Sequence, residues 1–230
     1  MKNIRLTIEY DGSRYCGWQR QENRSSIQEV LEKALGKITG ETISVHGSGR
    51  TDAGVHALGQ VANFHTGSTV PPRKFHLALN SLLPDDISVI DSCEVPKAFH
   101  ARFSATGKHY RYILVNREVR PALMCNRAGF VSGRLDIKSM ATACSYLVGT
   151  HDFRCFMASG SRIGETVRTV YEAFVEMEGD IVSFDIKGNG FLYNMVRIIA
   201  GTLVDIGTGK TNPHDMIDII AGKDRGRAGK

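Results

Sequence analysis

The residues best suited to do chemistry lie in the segment GRTDAGVHA, residues 49–57. Gly47, Gly49 and Gly54 flank Arg50, Thr51 and Asp52 closely enough for the backbone to take positive φ and for a bulky substrate to approach. Such a loop can present the carboxylate of Asp52. Arg50 can pair with phosphate or stack on a base, Thr51 can tie the loop to itself, and His56 can brace it by hydrogen bonding. An Asp in a Gly-rich loop also caps turns without any chemistry, and composition alone does not decide between the two.

The elements that must position this loop follow from hydrophobic period. Ile4, Leu6, Ile8 and Tyr10 alternate with polar residues, a half-buried strand ending at the Asp11-Gly12 turn. Ser26 and Glu29 have capping-box spacing ahead of Ile27, Val30, Leu31, Ala34, Leu35 and Ile38, one apolar face of a helix stopped by Gly40. Strands are expected over 42–46 and 59–65, with the Asp52 loop between them. After Pro71-Pro72 a helix over 74–83 stops at Pro84, and 87–93 is another strand.

From about Phe103 the plan repeats: a strand over 110–115, a helix over 136–148, strands over 167–177 and 181–187 joined at Gly179-Asp180, and a helix over 191–206. Asn212, Pro213 and Asp215 open a last short helix. The order of elements divides the chain into two halves, 1–105 with the Asp loop and 106–230, without a flexible linker at Ala105-Thr106-Gly107.

Composition bounds the function class. A chain of 230 residues with 42% hydrophobic and 23% charged residues can build its core without disulfides or metals. The five cysteines, Cys16, Cys93, Cys125, Cys144 and Cys155, show no paired spacing, which fits a reducing cytoplasm. No apolar run reaches the ~20 residues of a membrane span, and no signal peptide precedes the first strand, so no membrane association is expected. A formal charge of +5 and a pI near 9.0 favour a polyanionic partner. Arg14, Arg20, Arg24, Lys108, Arg111, Lys223, Arg225, Arg227 and Lys230 spread that charge over several loops. His46, His56 and His65 lack metal-ligand spacing, so no metal is expected.

The string GRTDAGVHA resembles the active-site motif of the tRNA pseudouridine synthase A family. YDGSRYCGWQRQ (10–21), LNSLLPDDI (79–87), FHARFSATGKHYRY (99–112) and GNGFLYNMVR (188–197) resemble further blocks of that family, in order and over nearly the whole chain. The resemblance and the element order together imply an α+β fold of two ferredoxin-like or RRM-like α/β halves, with mainly antiparallel sheet, joined around a central catalytic cleft. They further imply isomerisation of uridine to pseudouridine at positions 38–40 of the tRNA anticodon stem–loop, with neither cofactor nor metal, by a cytoplasmic homodimer.

On that resemblance Asp52 is the nucleophile, attacking either C6 of the uracil or C1′ of the ribose before the ring turns so that C5 joins C1′. A carboxylate that stays ionised in a closed site needs a neighbouring cation. Arg197, on an otherwise apolar helix, matches the family's charge partner and is expected to be buried. Tyr110 matches the tyrosine that stacks on the uracil, and its phenol is a candidate to shuttle the C5 proton. Arg50 matches the residue that fills the space of the flipped nucleotide or holds its phosphate. Thr51 and His56 belong to the same substrate-binding loop, and Trp18 reads as core packing beneath it.

Members of the family generally continue beyond a KDR segment, here residues 223–225, into an apolar strand, so the second half is expected to lack the family's last strand. The competing function class is a non-catalytic RNA-binding module of RRM-like fold, which the role of Asp52 distinguishes from an enzyme.

Overall fold

The computed structural model describes residues 1–160 and 164–229; Lys230, read above as part of the basic tail, lies outside the described residues. The chain divides into two compact units, Met1–Ala105 and a second from Thr106 onward.

The first unit contains β1 (Lys2–Tyr10), α1 (Ile27–Thr39), β2 (His46–Gly47), β3 (Ala57–Thr66), α2 (Phe75–Asn80) and β4 (Ile87–Val95). Its sheet has the order β2-β3-β1-β4, antiparallel throughout. Ile4, Leu6 and Ile8 point to one face, where with Phe64 they form a core with Leu31 and Leu35 of α1 and Phe75 and Leu79 of α2. The start of α1 is the one its sequence predicts: Ser26 Oγ accepts from the Glu29 N–H. Gly40 ends it at φ 72°.

Two expectations are corrected here. Residues 42–45 are not a strand, because side chains of α1 satisfy the backbone there: the Val45 N–H donates to Glu32 and its carbonyl accepts from Gln28. The expected helix over 74–83 contracts to α2, since Pro72–Lys74 form a 3-10 turn and the chain leaves the helix at Ser81.

The opposite face of this sheet carries no helix but is crossed by the segment after β4. Asn63 is fully buried there and accepts from the Ala101 N–H at 2.8 Å. Asn63 Nδ2 donates to Asn3 Oδ1, and Asn3 Nδ2 donates in turn to the carbonyls of Pro96 and Phe99. Two buried amides thus hold the chain at residues 96, 99 and 101, satisfying their own polar atoms in doing so.

The second unit contains β5 (Lys108–Asn116), β6 (Gly129–Val131), α3 (Ile137–Ser145), β7 (Gly149–Asp152), β8 (Val167–Glu178), β9 (Ile181–Gly188), α4 (Met195–Gly207) and α5 (Asp215–Gly222). Its sheet has the order β6-β5-β9-β8-β7, antiparallel except where β6 runs parallel to β5. Leu114, Val182, Phe184 and Ile186 meet Met140 and Ala143 of α3 and Ile199 and Leu203 of α4 in a second core. Neither β6 nor β7 was expected; both are too short to show an alternation. Both units therefore mix helices with mainly antiparallel sheet, the α+β class expected. Among the described residues no helix is long and apolar enough to cross a membrane.

Candidate active site

Arg50, Thr51, Asp52 and His56 lie together on the connection between β2 and β3. The Asp52 carbonyl accepts from the Val55 N–H, and Gly54, third in that turn, has φ 77°. This is the arrangement that requires glycine at the third position. Asp52 and Arg50 are exposed at its rim. Of the three glycines read as sources of positive φ, only Gly54 takes it. Gly47 serves differently: a Cβ there would meet the Trp18 ring at 2.5 Å.

The loop rests on the segment joining β1 to α1. The Trp18 N–H donates to the Thr51 carbonyl, and the Gly54 N–H to the Tyr15 carbonyl. Gly17 runs so near that a Cβ would lie 2.3 Å from the Thr51 carbonyl oxygen, and one on Gly12 would lie 2.1 Å from that of Val55. A register shift between Ile8 and Tyr10 re-aims the end of β1, and Tyr10 OH bonds Thr51 Oγ1 at 2.9 Å. Thr51 is thus tied to the floor and not to its own loop. The Gly12 N–H donates to His56 Nδ1 at 3.2 Å, and Asp11 Oδ1 is 3.1 Å from the same nitrogen. The neutral ring accepts from Gly12; a ring protonated at Nδ1 faces Asp11 instead.

The floor is itself clamped. Tyr15 OH donates to Asp86 at 2.7 Å, Arg14 Nε donates to the same carboxylate at 2.8 Å, and the Asp11 N–H donates to the Asp86 carbonyl. Burial, then the hydrogen bond to Asp86, pushes the Tyr15 phenol well above its ordinary value, so it remains a donor at any physiological pH. At the other side, Gln60 Nε2 donates to the Gly49 carbonyl at 2.6 Å. The floor residues Tyr10, Gly12 and Gly17 were not singled out from the sequence, although they fall in the block YDGSRYCGWQRQ. Trp18 is 2% exposed, in the core as expected, and its main chain holds the loop.

In the second unit Tyr110 is half-buried on β5, and its ring meets Phe191 edge-on with centroids 5.2 Å apart. Phe191 precedes α4, which begins four residues later than its sequence predicts because Asn194 takes a left-handed φ of 56°. Arg197, expected to be buried, is exposed on the first turn of α4. The period explains this: Met195, Ile198, Ile199 and Leu203 occupy the inward stripe and leave position 197 outside it. The side chain of Asn194, ahead of α4, makes no capping hydrogen bond. The first-turn N–H groups and an arginine on that turn make a positive end that favours a nearby anion.

On the other face of the same sheet Asp185 is fully buried, held by His109 Nε2 at 2.6 Å and Arg111 Nε at 3.0 Å. Arg14, Arg111 and Lys223 of the basic set pair with Asp86, Asp185 and Asp152 while staying exposed, as Arg20 and Arg24 are. Among the described residues no group of three or more His, Cys, Asp or Glu is placed to hold a metal ion.

Comparison with known proteins adds what geometry does not. The profile of a family described as tRNA pseudouridine synthase matches residues 6–104 and 143–230. A protein of Caldicellulosiruptor saccharolyticus named tRNA pseudouridine synthase A is 51% identical over 230 residues, covering 100% of this chain and 94% of the relative. A protein of the same name from Ruminiclostridium cellulolyticum is 52% identical over 232 residues, with the same coverage. One from Clostridium acetobutylicum is 48% identical, again over 100% of this chain.

Proposed function

Because this chain belongs to the tRNA pseudouridine synthase family and is thereby an isomerase that converts uridine in tRNA to pseudouridine, we propose that Asp52 is its nucleophile and that its targets are the uridines at positions 38–40 of the anticodon stem–loop. The observation that carries the assignment of Asp52 is its seat: an exposed carboxylate on a glycine turn whose neighbouring Thr51 carbonyl and Gly54 N–H are pinned to a clamped floor. A turn with only a structural task does not need that many main-chain restraints. A nucleophile does, because its geometry sets the rate.

In the proposed reaction Asp52 attacks C6 of the uracil or C1′ of the ribose, and the C1′–N1 bond breaks. The uracil turns, a C5–C1′ bond forms, the bond to Asp52 is released, and C5 loses one proton while the freed N1 gains one, so the product is an isomer of the substrate. Every atom is conserved, and the residues named suffice without an added redox or group-transfer reagent. Arg50, exposed two residues before Asp52, fills the place of the extruded nucleotide or holds its phosphate. Thr51 and His56 act as positioning residues, since Tyr10, Gly12 and Asp11 take up their polar atoms.

Tyr110 stacks on the uracil, with Phe191 behind its ring. Arg197 is the charge partner of Asp52, and the positive end of α4 on which it stands supports that role. The reading thus requires groups of both units to act on one nucleotide, in a homodimer working in the cytoplasm.

Mass-spectrometric mapping of pseudouridine in tRNA incubated with the chain tests the reading. Wild type is expected to convert uridines 38–40. Asp52→Ala should bind tRNA and convert none, and Arg197→Ala should lose turnover by a far larger factor than affinity. Conversion by Asp52→Ala would sink the catalytic assignment, and tRNA binding by a wild type that converts nothing would favour a plain RNA-binding module.

A further inference from the structure

The helix-free face of the first sheet carries a second group of side chains that the reaction does not use. The segment pinned by Asn3 and Asn63 delivers His100 and Phe103 to fixed places on that face. His46 pairs with Asn63 in the β2–β3 register and so stands on the same side. Its ring lies 4.9 Å, centroid to centroid, from that of His100, which lies 4.5 Å from Phe103; neither pair is tilted by more than 37°. The Arg102 guanidinium carbon is 5.7 Å from the centre of the Phe103 ring.

The series ends on a phenyl ring that is 78% exposed. Water gives such a ring no stabilisation, yet buried amides and two imidazoles hold it out in one orientation. Burial first, then the neighbouring His100 and His65, pull the His46 imidazolium below its ordinary value against the opposing effect of Glu32, so His46 offers a neutral ring face. Arg102, over the Phe103 ring, is the exposed cation of the group.

Ring faces next to an arginine match an unpaired nucleobase and its phosphate. Position also agrees: β2 runs from His46 straight into the Asp52 loop, and six residues of extended chain span at most about 20 Å. That distance stays within one tRNA stem–loop. We propose that Phe103, His100 and His46, with Arg102, form a stacking subsite for an unpaired base of the tRNA near the nucleotide presented to Asp52. The inference rests on the tRNA reading above and adds to it where a neighbouring base is held.

The test compares tRNA affinity, read by fluorescence anisotropy, for wild type, Phe103→Ala, Phe103→Trp and His100→Ala. Each is also made in the Asp52→Ala background, so that binding is read without turnover. Removing the ring should weaken binding about tenfold, the scale of one lost base–aromatic stack. The loss should fall on KM and spare the saturated single-turnover rate. Trp at 103 should restore affinity, and His100→Ala should show a smaller loss.

Wild-type affinity in Phe103→Ala would overturn the proposal. So would a drop in oligomeric state of that variant on sedimentation, which would assign the ring to a second copy of the chain. A wild type that forms no pseudouridine would remove the tRNA reading itself, a result separable from either.

Discussion

Asp52 and Tyr110 are positioned by opposite means. Around Asp52 the main chain does the work: carbonyls of residues 15 and 51 and N–H groups of 18 and 54 join two irregular segments, and three glycines let them touch. Around Tyr110 and Arg197 regular elements do it, with β5 in register on β9, Phe191 against the tyrosine ring, and the inward stripe of α4 turning Arg197 outward. The first arrangement, though side chains such as Tyr10 and Gln60 add to it, is intolerant of a single added carbon at Gly12 or Gly17. The second responds in proportion to the apolar surface removed, because packing is a sum of many small contacts.

Gly17→Ala tests this contrast most severely. Its Cβ would lie 2.3 Å from a main-chain oxygen, on a residue with φ 106°, so the loop must shift as a whole. A displacement of that size is expected to lower kcat about 100-fold while the core stays folded. Steady-state pseudouridine formation alongside a urea melt checks both halves, and an unchanged kcat would show that the floor does not set the geometry of Asp52. Phe191→Ala should act more gently in the second unit. The half-buried ring is expected to cost about 1–2 kcal/mol of stability, below the range for a fully buried Phe, with kcat reduced about tenfold as Tyr110 loses its backing. Denaturant midpoints compared with turnover would break the comparison if stability held and kcat collapsed. Tyr10→Phe is the mildest probe. It keeps the buried ring and removes the phenol that bonds Thr51, a loss of about 1 kcal/mol, or roughly fivefold in turnover if the loop loosens accordingly.

The same contrast explains what the sequence revealed. The start and stop of α1 were legible because Ser26, Glu29 and Gly40 act within one turn of chain. The inward and outward sides of β1 were legible because a period of two needs no knowledge of the partner. The floor was not, since Gly12 and Gly17 are constrained by residues far along the chain. The fate of residues 42–45 was hidden for the same reason: Ile43 and Val45 alternate as a strand would, but Gln28 and Glu32 reach across from a helix to take the hydrogen bonds. Arg197 was misplaced because the apolar look of α4 as a whole hid the one stripe, Met195, Ile198, Ile199 and Leu203, that faces inward and leaves position 197 outside. In the loop, the glycines marked Asp52 and Arg50 as able to do chemistry without deciding that they do, and the roles proposed for them and for Tyr110 came through resemblance and not through any local physical rule.

The seat joins residues 41 and 44 positions apart, so no chain ending before residue 56 can contain it. Its completion also has an optical signature. Trp18 is the only tryptophan in the chain, and its indole lies against Gly47 while its main chain holds Thr51. Intrinsic emission of the unlabelled protein therefore reports from directly beneath the loop, and the assembly of the carboxylate's support can be followed in time apart from the closing of the second unit's core.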